Sequence, residues 1–381
     1  MKIGIDAGLI DINTKFGVEI YQDCLIKELA KIDKRNEYFL FFRSLRRKAK
    51  DLPGPNQPNF KKIPFRIPNG INNDFINQIW CEFIVPRFIK KAKIDIYHAL
   101  CTSFSRKRYP CKVVVTIHDL TNKYVERGKK PKLKYADDGF ERSILKADGI
   151  ITVSENSKND ILKHYPVSEN SIHVTYAGVK SSIFPIAREQ IEKLRLEKNI
   201  PDKYILYIGY FLPHKNIERL IKAFYLFKKK YNSDYSLVLI GGKGFLRPHI
   251  KDLIAKLELE SEISLIDYLT DTELNIYMNA AKLFLFPSLY EGFGLPVLES
   301  MTVGTPVICS NTSSLPEISG GAALLVDPLD EKEIAEAIWR LISNTELRRD
   351  LIKNGFDRVK KFSWENTAHD TLKAYQTIVE N

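Results

Sequence analysis

Short, nearly continuous apolar runs alternate along the chain with longer stretches in which apolar residues recur every three or four positions. VVVTIH (113–118), GIITVS (149–154) and IHVTYAG (172–178) are β-branched runs of strand length, and residues 2–6 read as a first strand of the same kind. The second half repeats the rhythm. YILYIG (204–209), YSLVLIG (235–241), ISLID (263–267), LFLFP (283–287) and PVICS (306–310) alternate with helical patterns near 216–231, 248–257, 271–281 and 330–343. Strands that are apolar on both faces and separated by helices predict parallel sheets covered on both sides. The expected fold class is α/β, with two Rossmann-like, doubly wound parallel-sheet domains facing a cleft.

A chain of 381 residues is too long for one ordinary core and suits two such domains. The boundary is expected between Val179 and Asp202, where SSIFPIAREQ leads into a charged helical stretch. This divides the chain into an acceptor-side domain, 1–182, and a second domain, 183–361. Residues 362–381 read as an amphipathic helix capped near Ser363, able to pack on either.

Charge breaks the symmetry of the halves. Residues 1–180 carry 33 Lys and Arg against 20 Asp and Glu, whereas the remainder carries 25 against 27, so the basic surplus lies entirely in the first half. It suggests an anionic partner there, such as nucleic acid, lipid headgroups or a phosphate-bearing acceptor; the bland reading is a lysine-rich surface tuned for solubility. FINQIWCEFIVPRFIKKAK (75–93), aromatic and then basic, has two readings: a helix resting on anionic lipid, or a core-facing helix with a solvated end. No aromatic-basic motif of the known RNA-binding modules occurs, so nucleic acid is not expected as a partner. The cysteines at 24, 81, 101, 111 and 309 make no C-x-x-C pair and are odd in number, which argues for a reduced compartment. MKIGIDAGLI enters directly into a strand pattern without an h-region, and no run of 18 apolar residues occurs. The expectation is a cytoplasmic protein, with contact to the inner membrane face left open.

In open parallel sheets, ligands bind beyond the carboxyl ends of strands where the strand order reverses. Candidate chemistry falls at such ends. After LFLFP comes LYEGFGLPVLES (289–300), a Gly-Phe-Gly turn entering a helix with Pro296 at its start. The amides around Phe293, Gly294 and Leu295 suit an anion, and the glycines let a phosphate approach the backbone. A carboxylate beside that site would repel phosphate, so Glu291 is expected to face uncharged hydroxyls and Glu299 to hold a vicinal diol. One would take sugar and the other ribose. For Glu299, a plain stabilising acid near a helix N-terminus is an adequate alternative; for Glu291 it is a poor one. In YIGYFLPHKN (207–216), a strand ends at Gly209 and Lys215 and Asn216 are expected to open a helix, with Lys215 neutralising a diphosphate. In the first half, His118 and Asp119 follow VVVTI. The histidine would hydrogen-bond a sugar hydroxyl or orient an acceptor, or else be a satisfied histidine with Asp119 capping the next segment. Gly17 and Val18 open a helix expected to run to Lys31, behind a loop that could admit the acceptor. No Asp-x-Asp pair, G-x-G-x-x-G after the first strand, G-x-S-x-G elbow or Walker lysine is present.

Taken together, EGFGLPVLE (291–299), GYFLPHKN (209–216), HDL (118–120), ADGIITVSENSKNDI (147–161) and FSW (362–364) resemble the retaining GT-B glycosyltransferases of family 4 over nearly the whole chain. The E-x7-E pattern alone is moderately specific; with the lysine loop in the right order it is strong. The resemblance implies a nucleotide-diphosphate sugar donor held mainly by the second domain: ribose on Glu299, diphosphate on Lys215, and the transferred sugar on Glu291 with the Phe293 to Leu295 amides. It also implies His118 near that sugar and a C-terminal helix that crosses back to the first domain. Gly209, His214 and Asn216 belong to the same donor loop. The sequence departs from the pattern at Tyr210 and His214, where many members carry a second basic residue, so diphosphate neutralisation rests more on Lys215. It departs again at FGVEIY (16–21), where Glu19 stands in place of an arginine.

The expected activity is a retaining hexosyltransferase, mannose from GDP-mannose being the favoured donor, acting on a glycan or lipid-linked saccharide in surface polysaccharide synthesis. No metal and no separate cofactor are expected. Alternatives are a UDP-sugar-dependent glycosyltransferase and a non-catalytic sugar-nucleotide or glycan-binding protein of the same fold.

Overall fold

A computed structural model of the chain describes residues 1–8, 17–44, 51–66, 79–100, 108–124, 134–241 and 247–380. Their strands form two fully parallel sheets. The first has the order β3-β2-β1-β4-β5-β6-β7, with β1 Lys2–Asp6, β2 Glu37–Ser44, β3 Phe60–Arg66, β4 Ile96–Ala99, β5 Lys112–Ile117, β6 Gly149–Thr152 and β7 Ile172–Val174. The second has the order β10-β9-β8-β11-β12-β13, with β8 Tyr204–Ile208, β9 Ser236–Ile240, β10 Ile263–Ile266, β11 Leu283–Phe286, β12 Val307–Ser310 and β13 Leu324–Val326. The α/β class and both doubly wound sheets are as expected. β4 and β11 are buried along their whole length, as strands covered by helices on both faces must be.

β2, β3, β4 and β13 were not among the expected strands. β3, FKKIPFR, carries two lysines and a proline, which an edge strand tolerates and an apolar-run criterion passes over. β4 and β13 are only four and three residues long.

The chain divides into two compact units: Met1–Leu120, Gly128–Gly178 and Ser363–Asn381 in one, Thr121–Arg127 and Val179–Phe362 in the other. The division falls at Gly178 and not at residue 182 because the segment that follows is bonded to the helix Asp271–Ala280. Lys180 and Ser182 both reach Asp271 at 3.2 Å, Phe184 N donates to Asn275 Oδ1, and Ile186 N donates to Asn279 Oδ1. Asp271, Asn275 and Asn279 are four residues apart and so share one helix face.

In the first unit the final helix, Trp364–Glu380, packs on the helix Gly17–Ile32 and on β5 and β6. Ser363 Oγ accepts from Asn366 N at 3.1 Å, and Thr367 Oγ1 donates to the Tyr176 carbonyl. A Cβ on Gly178 would lie 2.3 Å from Trp364 N, so this close approach requires glycine. Within that core the fully buried His98 places Nδ1 2.6 Å from Tyr375 Oη and Nε2 2.6 Å from Thr116 Oγ1.

Candidate functional site

In the second unit the strand order reverses between β8 and β11, so the loops after these two strands flank the crevice that such sheets offer to ligands. These loops carry the lysine and the first glutamate. They are bound to each other through backbone: Leu289 N donates to the His214 carbonyl at 2.7 Å. Lys215 and Asn216 lie ahead of the helix rather than opening it. Pro213–Lys215 is a 3-10 turn, Asn216 is left-handed (φ 60°, ψ 35°), and the helix begins at Ile217. Asn216 Nδ2 donates to the Pro287 and Pro328 carbonyls and its backbone N–H to the Pro213 carbonyl, so Asn216 joins loops of the protein. At Gly209 the backbone passes so close to Tyr207 Oη that a Cβ would lie 2.6 Å from it.

Lys215 Nζ sits 2.6 and 2.8 Å from the two carboxylate oxygens of Glu291, both side chains being mostly buried (17% and 11% exposed). Glu291 therefore faces a cation in this structure, and not uncharged groups alone as the sequence suggested. The Phe286 ring lies under the ammonium, 5.5 Å from centroid to Nζ. The Glu291 backbone is fixed as well: its N–H donates to Ser313 Oγ, and Ser314 Oγ lies 2.9 Å from its carbonyl and 2.8 Å from that of Phe293. Tyr290 next to it stacks on Tyr124, 4.7 Å between centroids.

Gly294 takes the N-cap of the helix Leu295–Thr302 with φ 116°, and Pro296 fills the first turn. A side chain at 294 is excluded twice over, by that φ and by Leu315 Cδ2, 2.8 Å from where a Cβ would be. Phe293 is buried edge-on against Phe362, 5.9 Å between centroids. Leu295 is the first helical residue. Glu299, a turn further in, is buried, as are Val297, Leu298 and Met301 of the same helix. Burial pushes its carboxyl up; Lys180 opposes the shift and Asp271 adds to it. Lys180 and Asp271 were missed in the sequence because nothing local links them to Glu299: the contact arises from the strap 180–186 lying on the helix Asp271–Ala280.

In the first unit His118 follows β5 and is half-buried. Burial lowers its pKa to about 4, against the opposing pull of Asp119 and a hydrogen bond to the Leu100 backbone. Nε2 is buried and makes no hydrogen bond to the protein, so the proton sits on Nδ1 and Nε2 keeps an open lone pair. The Tyr21 ring meets the imidazole edge-on at 4.9 Å and meets Trp364 at 5.7 Å. Asp119 is half-buried beside it. Gly17 is exposed at the first position of its helix with open space around it, and Val18 is half-buried; the loop before them, 9–16, lies outside the described residues. Among the described residues, no group of three or more His, Cys, Asp or Glu is placed to hold a metal ion.

Two parallel doubly wound sheets, with a lysine and two glutamates on the loops and helix beyond β8 and β11, define a GT-B type of glycosyltransferase. The family pattern described as Glycosyl transferases group 1 matches residues 189–358, and that described as Glycosyltransferase Family 4 matches residues 17–182. The O-antigen chain mannosyltransferase B of Escherichia coli is 33% identical over 269 residues, 70% of this chain and 71% of the relative. The O-antigen chain mannosyltransferase RfbU of Salmonella typhimurium is 29% identical over 66% of each chain. Among solved structures, sucrose-phosphate synthase from Thermosynechococcus elongatus superposes with a TM-score of 0.79 at 22% identity, covering 98% of both chains. The chain belongs to the family 4 glycosyltransferases and is a hexosyltransferase.

Proposed function

We propose that the protein transfers mannose, with retention of configuration, from GDP-mannose to a glycan or lipid-linked saccharide in surface polysaccharide synthesis, at the cytoplasmic face of a membrane. The observation that carries this reading is the Lys215–Glu291 pair on the loops at the reversal point of the second sheet, with Glu299 on the helix that follows. The mannosyl assignment is supported by the named activities of the two O-antigen relatives.

In this reading Glu299 binds the ribose diol, Lys215 and the backbone at Phe293 to Leu295 bind the diphosphate, and Glu291 accepts hydrogen bonds from the sugar. His118 Nε2, neutral and with an open lone pair, accepts from a sugar hydroxyl. The reaction is a front-face displacement. The C1–O bond to the diphosphate breaks, the acceptor hydroxyl oxygen forms the new bond to C1, and the departing phosphate oxygen takes the acceptor proton. Lys215 and the helix N-terminus stabilise the charge that develops on the diphosphate, so no metal is required.

The test is a thermal-shift and hydrolysis screen of the purified protein with EDTA, against GDP-mannose, GDP, UDP-glucose, UDP-N-acetylglucosamine and UDP. The expected result is stabilisation by GDP and GDP-mannose with slow release of mannose. Stabilisation by the uridine compounds alone would replace the donor, and no response to any nucleotide would leave a sugar-binding protein without transfer.

A further inference from the structure

We infer that Ser313, in the loop after β12, is a positioning residue that aims the Glu291 carboxylate at the transferred sugar. This deepens the proposed function and rests on it for one point, that Glu291 meets the sugar. The loop continues a run rich in hydroxyls, SNTSS (310–314), whose ordinary use after a strand would be to form the next turn and cap the next helix. The structure puts these hydroxyls to a different use. Ser310 Oγ donates to the Ser288 carbonyl at 2.6 Å and Thr312 Oγ1 to the Leu289 carbonyl at 3.3 Å, while Ser314 Oγ shares its proton between the carbonyls of Glu291 and Phe293. Ser313 Oγ instead accepts the Glu291 N–H at 3.1 Å. Ser314 is the N-cap of the short helix Leu315–Ser319, yet its side chain makes no capping bond there. Four side chains of one run are thus spent on the backbone of residues 288–293.

Three of them, 312 to 314, are consecutive and reach the same turn. In a strand, neighbouring side chains point to opposite faces, and in a helix they spread around the axis, so neither regular conformation brings all three together. Ser313 supplies the irregularity. Its φ is 54°, in the left-handed region that a residue with a Cβ rarely enters. A non-glycine residue there is strained, and such strain persists only where the surrounding structure over-determines it. Glycine would take this φ without strain but would offer no hydroxyl to Glu291.

The hydroxyl fixes the direction of a side chain. Ser313 holds the Glu291 N–H and Ser314 holds its carbonyl, so both peptide groups flanking Glu291 are tied and its carboxylate leaves the backbone toward Lys215 Nζ. A carboxylate that must meet sugar hydroxyls at set positions depends on that alignment, because a misplacement of about an ångström at a reacting centre can cost roughly a hundred-fold in rate.

Two variants separate the hydroxyl from the backbone strain. Ser313→Ala removes the hydroxyl and keeps the strain, whereas Ser313→Gly removes both. Each should lower kcat about ten-fold while the donor KM and the GDP affinity stay within about two-fold of wild type. In hydrogen-exchange mass spectrometry, residues 288–293 should exchange faster in both. Ser313→Gly should melt within about 3 °C of the wild type, and Ser313→Ala below it. Turnover is read with whichever nucleotide sugar the wild type uses, so a different donor leaves the test intact. A glycine variant of undiminished stability that loses as much turnover as the alanine variant is the result a positioning hydroxyl gives and a merely structural staple does not. Wild-type turnover in both variants, loss in only one of them, or unchanged exchange over 288–293 overturns the inference. Failure of the site reading has its own signature: Glu291→Gln with wild-type turnover would overturn that reading, and this inference with it, even where exchange over 288–293 rises.

Discussion

Lys215 and Glu291 neutralise each other in the site assigned to a diphosphate and a hexose, the ammonium lying 2.6 and 2.8 Å from the two carboxylate oxygens. A diphosphate that takes Lys215 releases Glu291, which then needs the sugar hydroxyls as partners. A nucleoside diphosphate without its sugar leaves that carboxylate, mostly buried, beside the phosphates, and a buried charge without its partner is costly. Glu291→Gln is therefore expected to bind GDP several-fold more tightly than the wild type while losing about 100-fold or more in turnover. Lys215→Met should lose both. Calorimetric titration with GDP beside single-turnover rates decides it: weaker GDP binding by Glu291→Gln means that Lys215 serves both groups at once.

Glu299 sets stability against function. Its carboxyl is buried and its pKa raised, so the folded state holds a proton more readily than the unfolded chain does, and stability declines as pH rises from the ordinary carboxylate range through the raised value. Glu299→Gln removes the burial of charge. The variant should be as stable at neutral pH as the wild type or more so, by up to about 1 kcal/mol, and bind GDP about ten-fold less well. Urea unfolding and GDP titration on the same preparation check both halves; a destabilised variant with intact GDP affinity would assign Glu299 to the core.

Gly294 tests the approach of phosphate to the helix. Alanine there meets both an unfavourable φ of 116° and Leu315 Cδ2 at 2.8 Å. The expected cost is about 1–3 kcal/mol in stability, with weaker diphosphate binding because the turn that presents the Phe293 to Leu295 backbone shifts. The double variant Gly294→Ala/Leu315→Ala relieves the clash but not the dihedral strain. It should regain only part of the melting temperature; full recovery would show that φ is unimportant.

Most of the strands, and the turn that enters the helix after β11, were legible for the same reason: each is a local pattern. β5 and β11 are unbroken apolar runs, and the turn after β11 is marked by Gly292, Gly294 and Pro296 in a row of known chemical meaning. What escaped was set by tertiary packing. No periodicity reveals that Asn216 ties two carbonyls at residues 287 and 328, or that Lys180 acts on Glu299 by way of a strap held on Asp271, Asn275 and Asn279. The Lys215–Glu291 pair lay in plain sight as two residues but not as a contact.

Two histidines should make the first unit sensitive to acid. Burial holds His98 down to about 3, with the neighbouring charge of His118 acting in the same direction, and holds His118 down to about 4. In the unfolded chain both return to the ordinary value of 6.5 and take up protons that the folded unit refuses. Stability is thus fully present above about pH 6.5 and declines as pH falls toward those lowered values, by about 1.4 kcal/mol per pH unit for each histidine. His98 has no slack to relax this, because both ring nitrogens are engaged, by Tyr375 and Thr116, in a fully buried setting. Urea midpoints between about pH 7.5 and 5 should show the decline. His98→Asn should be less stable at neutral pH and have about half the pH slope. A wild-type profile that is flat over this range would mean that both imidazoles titrate normally, and would remove the neutral, hydrogen-bond-accepting form on which the role of His118 depends.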